Sequence, residues 1–197
     1  MQEEANVIIA ITMFNEYEYL PIKGIDVIQP PGNEQREWER RFVMAGEKIV
    51  QKGKKLKDFK LKDQNGQDFH LADYKGKKVL LSFHPLAWTP VCAQQMKSLE
   101  KSKKALDKLN TVAVGLSIDS VPCKAAWARS LKIKNTKLLA DFWPHGGVAK
   151  SLGMLRAEGF SERANIIVDE AGKIMWVKVY PIRQFPDIGE ILTALKA

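Results

Sequence analysis

Apolar positions recur along this chain at two spacings, which predicts both strands and helices. Residues alternate between apolar and polar around Phe59 and again around Phe69, and Asn65-Gly66 between them is a typical hairpin turn signal. A β-hairpin is therefore predicted, with Leu61 and Leu71 on the alternating apolar face.

A short apolar strand is predicted at Val79 to Phe83 and is followed by a loop and a long helical pattern. In that pattern Cys92, Met96, Leu99 and Leu106 share one face, which places Cys92 in the first turn of the helix. Downstream, further strands are predicted at 111–118, 138–140, 164–168 and 173–179, and helices at 121–131, 147–152 and 187–195.

Alternating strands and helices predict an α/β fold, and the tight turn at Glu170, Ala171 and Gly172 adds antiparallel pairing. The expected architecture is a thioredoxin-like fold: a mixed central sheet flanked by helices, plus the N-terminal β-hairpin and an extension.

The extension comprises residues 1–47, with a predicted strand at Val7 to Phe14 and a charged helical stretch at about Glu34 to Ala45. Its net charge is −5, whereas residues 48–197 carry +13, which predicts a boundary near residue 47. We expect this acidic segment to pack on the basic domain, residues 48–197, or on a partner subunit.

Composition narrows the function classes. The chain has 197 residues, is 45% hydrophobic and contains two cysteines and three histidines, so we expect a packed core and neither a metal site nor another cofactor.

The apolar run Val7 to Ile11 is too short to cross a bilayer, and the preceding Glu3 and Glu4 are unlike the basic start of a signal peptide. A cytoplasmic protein without membrane partners is expected. Nucleic acid is not an expected partner, because the lysines that suggest it lie on one helix face, Lys97, Lys101, Lys104 and Lys108.

Cys92 is the candidate nucleophile, because a helix N-terminus stabilises a thiolate over a thiol. By position alone, an inert buried cysteine is an equal alternative. The context favours reactivity, since Pro85, Thr89 and Cys92 form the pattern P-x-x-x-T-x-x-C between a strand and a helix. Thr89 can hold a hydroxyl beside the sulfur or serve as a helix N-cap, and Pro85 can shape the pocket or a turn. A dithiol oxidoreductase is disfavoured because no C-x-x-C is present.

With these residues the sequence resembles a peroxiredoxin of the alkyl hydroperoxide reductase and thiol-specific antioxidant superfamily. The resemblance covers about Leu56 to Ala197 and includes Ser161-Glu162-Arg163-Ala164 on a late strand. It implies a thiol-dependent peroxidase that reduces hydrogen peroxide and alkyl hydroperoxides, with Cys92 as the peroxidatic cysteine. Thr89 and Arg163 would orient the peroxide, and Pro85 would exclude water. It also implies a thioredoxin-like or other thiol reductant and a homodimer.

Several assignments stay open. Cys123 follows Cys92 by 31 residues and is either the resolving cysteine or an unrelated thiol. Arg163 is either a site residue or a surface arginine. Trp88 and Trp143 are expected in the core rather than around the pocket, and His84 and His145 are expected to be packing or surface residues. A redox sensor or binding module with the same fold is the alternative function.

Overall fold

The computed structural model describes residues 49–197, so the predicted boundary near residue 47 and the elements predicted before it lie outside the described residues. The described residues contain strands β1 Lys60–Lys62, β2 Asp68–His70, β3 Lys78–Phe83, β4 Thr111–Ser117, β5 Lys137–Ala140, β6 Arg163–Val168 and β7 Ile174–Tyr180. The helices are α1 Pro90–Lys101, α2 Lys103–Lys108, α3 Val121–Leu131, α4 Gly147–Ser151 and α5 Ile188–Ala194. Within this part of the chain, no helix is long and apolar enough to span a bilayer.

The seven strands form one mixed sheet in the order β2-β1-β5-β4-β3-β6-β7. Strand β4 pairs in parallel with β3 and β5, whereas β6 pairs antiparallel with β3 and β7. The predicted hairpin is confirmed: β1 and β2 pair antiparallel, and Gly66 in the turn has a φ of +75°, which glycine adopts without steric cost.

Hydrophobic side chains cover both faces of the sheet. The core on one face includes Phe69 of β2 and Ala149 of α4. The other packs against the remaining helices, through residues such as Met96 in α1, Trp127 in α3 and Ile191 in α5. Cys92 lies in this second layer, so the candidate nucleophile belongs to the packed interface between α1 and the sheet.

A glycine in β4 allows α1 to approach the sheet closely. A Cβ atom on Gly115 would lie 2.3 Å from Sδ of Met96, well inside a normal contact. Because Met96 is one helical turn beyond Cys92, this close packing also fixes the start of α1 above the ends of β3 and β4.

Two predicted elements differ from the structure. The long helix expected through Leu106 is divided at Ser102, whose backbone (ψ of 3°) ends α1 before α2 begins. Serine is a weak helix former, since it competes for backbone hydrogen bonds. The second hairpin strand ends at His70, and Leu71 begins a single 3₁₀ turn, Leu71–Tyr74.

Candidate active site

The first turn of α1 presents Cys92 at a helix N-terminus, as predicted. Thr89 is at the N-cap position with extended backbone angles, and Pro90 takes the first helical position, where its missing N–H is not needed. Cys92 is the third residue of the helix and is fully buried. Its sulfur therefore meets the positive end of the helix dipole in a site shielded from bulk water.

Arg163, the first residue of β6, reaches the Cys92 sulfur from across the sheet. Its Nη2 donates to Sγ of Cys92 at 3.4 Å, and Arg163 as a whole is only 2% exposed. The alternative of a surface arginine is therefore wrong. A guanidinium carries a permanent charge, so the Cys92 sulfur faces a fixed cation.

The guanidinium is held by two further hydrogen bonds. Nε of Arg163 donates to the carbonyl of Ile182 at 2.7 Å, and Nη1 donates to Oε1 of Gln95 at 2.6 Å. The Gln95 amide in turn donates to Oγ of Ser82 and to the carbonyl of Phe83. The arginine is therefore fixed before any substrate binds, which is what an electrostatic site requires.

Gln95 is a site residue that the sequence reasoning missed. It lies three residues after Cys92, on the same face of α1, and is 2% exposed. The signal was available in that spacing, because residues three apart on a helix are neighbours. In the sequence analysis, Gln95 showed only that Cys92 is not part of a C-x-x-C motif.

Thr89 and Pro85 lie before Cys92, in the loop between β3 and α1. The Thr89 hydroxyl donates to the carbonyl of Leu86 at 3.1 Å and makes no side-chain cap on α1. The N-cap alternative therefore holds for its backbone position alone. Pro85 is buried at the bend of the loop. Thr89 is half-buried, so its oxygen is positioned at the border between the loop and solvent.

The expectation that both tryptophans belong to the core is wrong. Trp88 is 57% exposed and Trp143 is 81% exposed. Trp88 precedes the helix N-cap and has a φ of +68°, a region that non-glycine residues seldom adopt. Its indole N–H donates to the sulfur of Cys123, so a residue of the loop before α1 contacts the second cysteine.

Cys123 is the third residue of α3 and is half-buried. Its thiol donates to Oδ1 of Asp119 at 3.7 Å. The other carboxylate oxygen of Asp119 accepts from the backbone N–H of Ala87 at 2.9 Å and from the Ser117 hydroxyl. Burial, with the carboxylate of Asp119 adding to it, raises the pKa of the Cys123 thiol.

A buried lysine adjoins this group. Nζ of Lys124 donates to Oγ of Ser117 and lies 3.3 Å from Nε2 of His84, and both Lys124 and His84 are 0% exposed. Burial lowers the pKa of Lys124 to about 8 and holds the pKa of His84 well below its usual range, with the Lys124 charge adding to the latter. His84 therefore packs as a neutral ring, as expected, and accepts from the lysine.

Lys124 could not be singled out from the sequence, because lysine side chains are almost never fully buried. His145 is exposed, and its Nε2 lies 2.6 Å from the carbonyl of Gly159, away from the thiols. The described site thus combines an arginine-paired thiol at one helix start with a carboxylate-paired thiol at another.

Known proteins share this sequence and architecture. Residues 52–177 match the model of the AhpC/TSA family. A peroxiredoxin of Ignicoccus hospitalis is 37% identical over 152 residues, which cover 74% of this chain and 64% of that protein. Peroxiredoxin 2 of Sulfurisphaera tokodaii is 36% identical over 163 residues, covering 78% of this chain and 75% of the relative.

A solved structure supports the fold. The reduced 2-Cys peroxiredoxin of Plasmodium vivax superposes with a TM-score of 0.69 at 27% identity, over 75% of this chain and 81% of that one. The predicted thioredoxin-like α/β fold with a mixed sheet is therefore confirmed.

Proposed function

This chain belongs to the AhpC/TSA family of peroxiredoxins, and from that premise we propose that it is a thiol-dependent peroxidase that reduces hydrogen peroxide and alkyl hydroperoxides through Cys92. The observation that carries the proposal is the contact of 3.4 Å between the fixed guanidinium of Arg163 and the sulfur of Cys92. A buried cation beside a thiol at a helix start is the arrangement that a thiolate nucleophile needs.

In the proposed reaction the Cys92 thiolate attacks the distal oxygen of the hydroperoxide. A sulfur–oxygen bond forms while the oxygen–oxygen bond breaks, and the leaving oxygen departs with a proton as water or an alcohol. The sulfur is oxidised to a sulfenate and the peroxide is reduced. Negative charge moves from sulfur toward the leaving oxygen during this step, and Arg163 is placed to stabilise it.

The neighbouring residues complete the site. We assign Thr89 the role of holding the peroxide by a hydrogen bond, because a hydroxyl can both donate and accept. Pro85, buried at the loop bend, would exclude water from the sulfenate. Gln95 acts through Arg163 as a positioning residue, since it accepts from Nη1 at 2.6 Å.

Cys123 is proposed as the resolving cysteine. Its sulfur would attack the sulfur of the protonated Cys92 sulfenate, so that a disulfide forms and the sulfur–oxygen bond breaks. The Cys123 thiol proton leaves with the hydroxyl as water, and a thioredoxin-like or other thiol would then reduce the disulfide. Both sulfurs are free thiols at the starts of helices, and Asp119 contacts both Ala87 in the loop before α1 and Cys123 in α3. If Cys123 does not resolve, an external thiol attacks the sulfenate directly.

Two further features belong to the proposal. A homodimer is supported by the exposed aromatic side chains of Trp88 and Trp143, which a second copy would cover. We place the protein in the cytoplasm, because the cycle depends on thiol reductants and both described cysteines are free.

The decisive experiment compares Cys92→Ser with the matched variant Cys123→Ser. We expect Cys92→Ser to abolish peroxide consumption in the presence of a thiol reductant, because a serine hydroxyl is not ionised at neutral pH. Mass spectrometry after one equivalent of peroxide should detect a Cys92–Cys123 disulfide in the wild type and a sulfenate in Cys123→Ser.

The outcomes separate the alternatives. Retained turnover by folded Cys92→Ser would refute the assignment of the nucleophile. A wild type that oxidises once and stops despite added reductant would instead be a redox sensor. If Cys123→Ser turns over as fast as the wild type and no disulfide forms, the enzyme uses one cysteine, and the role of Cys92 stands.

A further inference from the structure

The two cysteines occupy equivalent backbone positions. Each is the third residue of a helix that begins after an extended N-cap residue, Thr89 before α1 and Ser120 before α3. Each helix also has a proline within its first two positions. The helix N-terminus therefore favours ionisation of both thiols, and the backbone alone does not explain why one would react with peroxide and the other would not.

The side-chain partners distinguish them. The Cys92 sulfur faces the Arg163 guanidinium at 3.4 Å, whereas the Cys123 sulfur faces the Asp119 carboxylate at 3.7 Å. An arginine only donates hydrogen bonds and an ionised carboxylate only accepts them. The first contact is thus favourable with a thiolate, and the second is favourable only while the sulfur keeps its proton.

A chain of donors fixes the direction of the second contact. Lys124 donates to Ser117, and the Ser117 hydroxyl donates to Oδ2 of Asp119. The backbone N–H of Ala87 donates to the same oxygen at 2.9 Å. Oδ1 therefore remains to accept from Cys123, and the Trp88 indole donates to the same sulfur. A protonated thiol can donate to Asp119 and accept from Trp88 at the same time, whereas a thiolate has no proton to donate to Asp119.

We propose that Asp119 keeps Cys123 protonated, whereas Cys92 faces the cation of Arg163, so that Asp119 determines which of the two thiols reacts with peroxide. The inference rests on the proposed function for the role of Cys92. Two charged groups act on Cys123 in opposite directions: Asp119 opposes its ionisation, and Lys124, the next residue of α3, favours it. Burial is the largest single cause that disfavours the Cys123 thiolate, and the Trp88 hydrogen bond partly offsets it.

The test uses proteins with a single thiol. In a Cys92→Ser background the remaining thiol is Cys123, and its titration is followed by the pH dependence of alkylation with iodoacetamide. Asp119→Asn removes the charge and retains an oxygen that can accept from Ala87. We expect the Cys123 midpoint to fall by about one pH unit, and its oxidation by hydrogen peroxide at about pH 7 to become about tenfold faster, because the thiolate fraction rises by that factor.

The matched control is the same substitution in a Cys123→Ser background, where the Cys92 midpoint should move less. An equal shift at Cys92 would overturn the proposal, because Asp119 would then act on the whole site. An unchanged or raised Cys123 midpoint in folded Asp119→Asn would also overturn it.

A second variant tests the same proposal through a shift of the Cys123 midpoint in the opposite direction. Lys124→Gln removes the cation and should raise the Cys123 midpoint, so a fall would contradict the proposal even if Asp119→Asn does not fold. Alkylation requires no peroxidase turnover. A wild type that fails to turn over peroxide while these midpoints shift as expected would refute the proposed function and leave the protonation of Cys123 assigned to Asp119.

Discussion

The effect of the Arg163 guanidinium on the rate of peroxide reduction can be worked out from its distance to the Cys92 sulfur. A unit charge at 3.4 Å from the sulfur interacts with a thiolate by about 5 kcal/mol at an effective dielectric constant of about 20, which is an upper bound. The net contribution of one hydrogen bond between charged groups is about 1.5–3 kcal/mol. Arg163→Met should therefore lower the second-order rate constant for hydrogen peroxide by about 10- to 150-fold.

The matched variant is Arg163→Lys, which keeps the charge but cannot make all three contacts of the guanidinium, to Cys92, Gln95 and Ile182. We expect its rate constant to lie between those of the wild type and Arg163→Met. Stopped-flow kinetics of the reduced proteins with peroxide measure the step directly, at a temperature well below each melting point. Rate constants within a factor of two for all three folded proteins would refute the reasoning.

Two other predictions concern stability. Hydrogen bonds from residues 134–136 lower the pKa of Glu100 from 4.5 to about 2, although burial opposes the shift. After reduction for partial exposure, the shift contributes about 2 kcal/mol to the free energy of unfolding. This contribution is complete above about pH 4.5 and is lost as the pH falls toward 2. Glu100→Gln should thus destabilise the protein to urea at neutral pH and much less at about pH 3, and equal losses at both would contradict the assignment. A truncated protein that begins at Lys48 should have a lower thermal stability or a different size in solution. The reason is that residues 1–47, with a net charge of −5, are expected to pack on residues 48–197, with a net charge of +13, or on a partner subunit. An unchanged stability and an unchanged size would refute that expectation.

Local sequence determined the order of the elements and the position of the nucleophile. The helix predicted at 121–131 occupies Val121–Leu131, and the strand predicted at 164–168 is Arg163–Val168. Periodicity and turn residues act over a few neighbours, so they are readable without the fold. The pattern around Cys92 likewise depends on a strand, a loop and a helix start that follow one another along the chain.

Contacts between distant residues were decided by the tertiary structure. Arg163 reaches a sulfur 71 residues away only because β6 pairs with β3, the strand that leads to Cys92. The resemblance to peroxiredoxins pointed to Arg163, but the hydrophobic periodicity of the sequence could not show its contact with the Cys92 sulfur. The exposure of Trp88 and Trp143 was also mispredicted, because large aromatic side chains are usually buried and only the assembled surface shows which are not.

The character of the second thiol depends most on the fold. From sequence alone, Cys123 follows Pro122 near the start of a predicted helix and is either a resolving cysteine or an unrelated thiol. In the structure Lys124 is fully buried against His84 and Ser117, and the carboxylate of Asp119 accepts from the thiol. Backbone position follows from local propensity, whereas the protonation of a side chain follows from the charges and burial that surround it, and those are set by packing between segments remote in the chain.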